Sequence, residues 1–186
     1  SIASAIFMVT YYLTPLTTND FWIQLKIGDI IRQSGEIPRT ILFSYTEAKD
    51  FPFIAHEWLP SVVFSQIYEI FGYYQLITIK CLLYFLIFTL LILLAKRTHG
   101  NWELAVISSI AIMLMANYRS FLRPEVFAYL FFIIQLNLIQ KLNQKKDTRL
   151  AVAVVLTNIL WVNSHGSFLV SIGLPFVVVI GELLDQ

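Results

Sequence analysis

Eight side chains carry the chemistry this chain could perform, and they fall in four places. Asp20 stands in an Asn-Asp-Phe-Trp run. His56 and Glu57 are adjacent and lead into Trp-Leu-Pro. Arg119, Arg123 and Glu125 flank a short turn, and Asn163 and His165 occupy a polar break, Asn-Ser-His-Gly-Ser, in an otherwise apolar segment. A carboxylate at Asp20 can take the proton of an attacking hydroxyl. Neighbouring imidazole and carboxylate groups at 56 and 57 can bind sugar hydroxyls or a divalent ion, although no residue pattern here requires a metal. The guanidinium fork of Arg119 or Arg123 suits a phosphate, and Glu125 can neutralise one of them. Each group also has a plainer reading. Asp20 and Glu125 suit helix starts through the helix dipole, His56 and Glu57 can cap a helix, the arginines can snorkel at an interface, and the 163–167 run can be only a turn.

Elements that would position these groups follow from the apolar pattern. Apolar segments are expected at 1–16, 75–95, 102–118, 124–140, 150–164 and 167–182, and two amphipathic helices at 20–34 and 57–71. Thr18 or Asn19 can cap the first amphipathic helix, and Gly35 with Pro38 ends it. Ile23, Ile27, Ile30 and Ile31 share one of its faces, as a helix lying in a membrane interface would have them. Pro60 falls in the first turn of the second, where its missing N–H does no harm, and Gly72 stops it. The 75–95 segment contains one charge, Lys80.

Composition selects the solvent. Hydrophobic residues make up 58% of the 186 residues and charged residues 13%, and the mean hydropathy is +0.71. Soluble domains carry about twice that charge, so the expectation is an all-α polytopic membrane protein with about six transmembrane segments and two interfacial helices in a first outer loop spanning 17–72. The net charge of +1 and the absence of a basic run interleaved with aromatics exclude nucleic acid as a partner. The single cysteine, Cys81, allows neither an intramolecular disulfide nor a cysteine zinc site. GxGxxG, Walker, HExxH, CxxC and GxSxG patterns are missing, which leaves dehydrogenase, nucleotidase and common hydrolase readings without support. Apolar stretches at both ends read as a piece of a longer chain.

Basic residues orient the helices. Lys96 and Arg97 fall in one connection, and Lys141, Lys145, Lys146 and Arg149 in another, against one acid, Asp147. Both connections belong to the same side, which the positive-inside rule makes cytoplasmic. The eight chemically interesting residues then share the extracytoplasmic side of a plasma (inner) membrane.

This order of features resembles the N-terminal part of the membrane-embedded GT-C glycosyltransferases, and also bacterial GT-C-like membrane proteins without an established activity. The residues that carry the resemblance are Asp20 in Asn-Asp-Phe-Trp, the His56–Pro60 stretch, Phe71-Gly72, Lys80, and Arg119, Arg123 and Glu125. The match lies in spacing more than identity: one acid stands where many relatives have two, the double proline is absent, and Glu125 replaces the more usual Asp. The resemblance implies transfer of a sugar from a polyprenyl-phosphate donor to a lipid, glycan or protein hydroxyl. In it Asp20 is a base or acceptor-binding acid, Glu125 a second site acid, and His56, Glu57, Arg119, Arg123, Asn163 and His165 bind substrate. Implied partners are membrane lipids, the lipid-linked donor and other membrane subunits. The rival expectation is a non-catalytic accessory subunit on the same scaffold. A transporter is third, and no inverted repeat supports it.

Overall fold

The computed structural model describes residues 6, 10–46, 51–116 and 121–184. All regular elements among them are helices: α1 (Asn19–Ser34), α2 (Trp58–Phe71), α3 (Tyr73–His99), α4 (Trp102–Met115), α5 (Glu125–Lys145), α6 (Thr148–Val162) and α7 (Phe168–Leu184). Residues 10–12 are also helical, consistent with the end of the first apolar segment. Arg119 lies outside the described residues.

Local chemistry explains most boundaries. Gly35 closes α1 with a left-handed backbone (φ 74°), donating its N–H to the Ile31 carbonyl, a geometry glycine adopts without steric cost. Thr18 holds the N-cap position of α1 but makes no side-chain capping bond. Asn101 does cap α4, accepting from the N–H groups of Glu103 and Leu104, and Asp147 caps α6 through the N–H of Arg149. Two helices run past their expected ends. α3 continues through Lys96, Arg97 and His99, and α5 through Lys141 and Lys145. Lys, Arg, Gln and Leu are good helix formers, so each helix outlasts its apolar stretch, and the connections shrink to Gly100-Asn101 and Lys146-Asp147.

α3 and α5, with 27 and 21 residues, are long and apolar enough to cross a bilayer. α4, α6 and α7 are apolar but shorter, at 14, 15 and 17 residues. A 14-residue helix covers only about 21 Å at 1.5 Å per residue, against a hydrocarbon core of about 30 Å. Among the described residues, therefore, two helices have spanning length where the apolar pattern predicts about six segments.

The main core gathers where α1, α2, α3 and α5 meet. Phe21, Phe64, Leu76, Tyr84, Leu122 and Val126 are buried there, and the Tyr12 and Tyr84 rings stack at 4.2 Å. α1 and α2 come into backbone contact at Gly28, where a Cβ would lie 1.9 Å from the Ser61 carbonyl oxygen. Only glycine lets the two backbones pack at that distance. Lys80, 1% exposed, donates to the Thr14 carbonyl at 2.6 Å and the Thr14 hydroxyl at 2.8 Å. The Tyr73 hydroxyl accepts from the Leu16 N–H at 3.0 Å. These bonds from α3 pin the segment that leads into α1 and so fix where Asp20 emerges. On the other side, the Trp58 indole N–H donates to Asn163 Oδ1 at 2.9 Å, joining α2 to the turn between α6 and α7.

Candidate functional site

Asp20 and Gln24 lie one turn apart on α1 and so present to the same side. Glu57 stands immediately before α2, Arg123 and Glu125 bracket Pro124 at the start of α5, and His165 lies in the turn before α7. Asp20, Gln24, Glu57, Arg123, Glu125 and His165 line one cleft of about 270 Å³, with Ile23 and Pro124 completing its wall. Five of these stand out by residue type alone. The cleft is assembled from four elements far apart in sequence, held together by the Phe21–Phe64 core, the Gly28 crossing and the Trp58–Asn163 bond.

Two polar subclusters divide the cleft. In the first, an Arg123 guanidinium Nη2 pairs with Asp20 Oδ2 at 3.0 Å. The Asp20 side chain is 62% exposed while Arg123 is 32% exposed, so the pair sits at the mouth. The Arg123 face also rests 5.5 Å from the Phe121 ring centroid, a cation–π distance. In the second, Glu57 is the hub. Its Oε2 accepts from Gln24 Nε2 at 2.6 Å. Its Oε1 lies 3.6 Å from His165 Nε2 and 3.8 Å from His56 Nε2. Ser61 Oγ lies 2.5 Å from Gln24 Oε1 and 2.8 Å from the Glu57 carbonyl, and donation to the amide oxygen orients Gln24 with its N–H toward the acid.

His165 is held by a second chain of bonds. The Ser167 N–H donates to His165 Nδ1 at 3.1 Å, and the Ser167 hydroxyl lies 2.8 Å from the same nitrogen. The Trp161 indole donates to that hydroxyl at 3.1 Å. An accepting Nδ1 leaves the ring proton on Nε2, the nitrogen that faces Glu57.

Burial pushes the Glu57 carboxyl above the ordinary range. The nearby Glu125 and Asp20 carboxylates push the same way, while His56 and Arg123 partly offset them. Desolvation disfavours the charged form, and like charges add to that cost. Burial has thus raised the proton affinity of Glu57 within the cleft. Although it holds the N-cap position of α2, it makes no side-chain capping bond, so capping does not account for its carboxylate.

The remaining expected site residues take other places. His56 borders an adjoining cavity of about 80 Å³ that shares Gln24 and Glu57 with the cleft. Asn163 faces away, accepting from Trp58 and donating to the Ile159 carbonyl at 2.8 Å; its polarity serves the α2 junction. Gln24 was missed by sequence reasoning. The available signal was its position four residues after Asp20, on the same helical stripe. Among the described residues no group of three His, Cys, Asp or Glu side chains comes together as a metal site, and the closest acids are already engaged by Arg123 and Gln24.

No protein-family model, curated protein or solved structure matches this chain.

Proposed function

We propose that the chain is a polytopic membrane protein of GT-C-like design that transfers a sugar from a polyprenyl-phosphate donor to an acceptor hydroxyl on the extracytoplasmic side. The observation that supports this reading is the convergence of Asp20, Arg123, Glu125, Glu57 and His165 on one cleft. A volume of about 270 Å³ is slightly below the roughly 300 Å³ at which pockets for drug-sized ligands begin, which suits one sugar-sized group. The membrane part of the reading rests on α3 and α5 and on the apolar residues the helices turn outward, among them Leu82 and Leu86 of α3, Ile107 of α4, Leu156 of α6 and Val177 of α7. So much exposed apolar side-chain surface calls for a lipid or protein covering.

In the proposed reaction the acceptor oxygen forms a bond to the sugar C1 as the C1–O bond to phosphate breaks, and the leaving phosphate keeps the electron pair. Glu57 takes the acceptor proton, as a carboxylate of raised proton affinity is suited to do, with the His165 Nε2–H facing its Oε1 at 3.6 Å. Arg123 offsets charge growing on the phosphate. Asp20 releases Arg123 to the phosphate and orients the acceptor. The test is sugar transfer from a defined polyprenyl-phosphate donor by the full-length protein, comparing wild type with Asp20→Asn. A loss of roughly 100-fold is expected when the acceptor and Arg123 lose the group that positions them. Undiminished transfer by the variant would remove Asp20 from the reaction.

A second reading, a non-catalytic subunit of a membrane complex, draws on the Asp20–Arg123 pair itself, which ties the acid to a cation at 3.0 Å. Absence of any donor-dependent transfer by the wild-type protein, together with co-purification of a stoichiometric membrane partner, would favour it.

A further inference from the structure

At the other end of α3 and α5 a second cavity, of about 390 Å³, is bordered by Arg97, Lys141, Gln144, Lys145, Asp147 and Leu150. It is separate from the cleft by most of the length of α5. Glu125 and Lys145 are twenty residues apart along that helix, or about 30 Å at 1.5 Å per residue.

The charge arrangement of this cavity is unusual. Lys141 and Lys145 are one turn apart, and like charges at that spacing repel on a helix. Arg97 adds a third cation from α3. Among the described residues none of the three forms an ion pair. Asp147, the one acid present, accepts from the Arg149 N–H at 2.9 Å in capping α6. Lys146 follows Lys145 in the chain, and the Lys96 ammonium rests over the Trp102 ring at 5.4 Å from its centroid.

Arg97 is also held in place. Its Nη1 donates at 3.0 Å to Oδ1 of Asn137, a residue only 7% exposed. The Asn137 amide donates to the Ile133 carbonyl at 2.9 Å, and this fixes which end of the amide meets the guanidinium. A buried asparagine among apolar helices is costly unless bonded, and here its acceptor is used to orient a cation at the cavity. Apolar surface adjoins the cations directly. Leu93, one turn before Arg97 on the same stripe of α3, is exposed, and Leu150 forms part of the wall.

We propose that this cavity binds the phosphate of an anionic phospholipid of the surrounding leaflet, the headgroup on Arg97, Lys141 and Lys145 and the acyl chains along Leu93 and Leu150. An anion there relieves the repulsion between the lysines and matches the polar-to-apolar step along α3. Basic pockets between helices at the cytoplasmic boundary take such headgroups. The proposal rests on the membrane reading given above but not on glycosyl transfer.

The test uses the full chain in phosphatidylcholine vesicles that contain spin-labelled phosphatidylglycerol, and reads the motionally restricted fraction of label. Lys141→Gln/Lys145→Gln is compared with Lys26→Gln/Arg39→Gln, which removes the same charge near the other end of the molecule. Each juxtamembrane cation contributes roughly a fivefold preference for an anionic lipid, so the first variant should lose about tenfold or more of the preference while the second keeps it. Unlabelled phosphatidylglycerol should displace the label, and rising salt should weaken binding. Full preference in Lys141→Gln/Lys145→Gln overturns the proposal, as does displacement by glycerol phosphate as effective as by phosphatidylglycerol, which would identify a soluble phosphate ester. Release of the chain by alkaline carbonate would sink the membrane reading as well, whereas an embedded chain without lipid preference sinks this proposal alone.

Discussion

Glu57 gathers more of the cleft's chemistry than any other side chain. It is bonded to Gln24 and faces two imidazoles, and burial raises its proton affinity. Folding raises its proton affinity relative to the unfolded chain, so this contribution to stability is present at low pH. It is lost as pH rises from the ordinary carboxylate range through the raised folded value. Glu57→Gln keeps an oxygen for Gln24 but carries no charge to bury. At neutral pH the variant should melt at the wild-type temperature or higher, measured by thermal unfolding in detergent. Its transfer rate should fall by about 100-fold or more, the usual scale for a general base. A wild-type pH–rate profile should show an acid limb above the ordinary carboxylate range, and that limb should vanish in the variant. A destabilised variant that retains full transfer would show instead that Glu57 serves packing alone.

At the scale of elements, the α1–α2 crossing decides whether Gln24 and Asp20 meet Glu57 at all. Gly28 permits it, because a methyl group there would meet the Ser61 carbonyl at 1.9 Å and its carbon at 2.3 Å. Backbone cannot yield as a flexible side chain can, so the helices must separate. Gly28→Ala should cost about 1–3 kcal/mol, the range for overpacking, even though alanine is the better helix former. The loss should appear in unfolding by denaturant, and transfer should fall because the Gln24–Glu57 bond is broken at the same crossing. Wild-type stability in Gly28→Ala would mean that α1 and α2 are farther apart than described. Lys80 and Tyr73 do related work from α3, holding the residues at 14–16 that precede Asp20.

For the whole molecule, the cleft and the basic cavity stand at opposite ends of α5, about 30 Å apart by helix rise and so about one hydrocarbon thickness. This separation makes the orientation testable. The native Cys81 is buried and leaves a quiet background for cysteine labelling. With the orientation proposed above, Glu36→Cys, just past α1, should react with a membrane-impermeant maleimide in intact cells, and Gln144→Cys beside the basic cavity should react only after permeabilisation. The reverse pattern would invert the topology and place the cleft on the cytoplasmic side.

Helix existence was legible from one sequence because apolar periodicity, glycine stops and capping residues are local properties. Thus α1 and α2 lie within a residue of their expected bounds, while α3 and α5 outran theirs where charged helix formers succeed apolar ones. Residue type also drew attention to Asp20, Glu57, Arg123, Glu125 and His165, since ionisable groups beside apolar segments are costly unless paired, hydrated or used. Their company was another matter. Whether Asp20 meets Arg123, whether Glu57 caps a helix or faces a cleft, and whether Asn163 serves a pocket or a junction all depend on contacts between residues up to about a hundred positions apart. Such contacts arise from packing, from a glycine that lets two backbones touch and a buried lysine that anchors the segment before α1. A local pattern carries no record of the partner it will find, so only the tertiary structure could decide them.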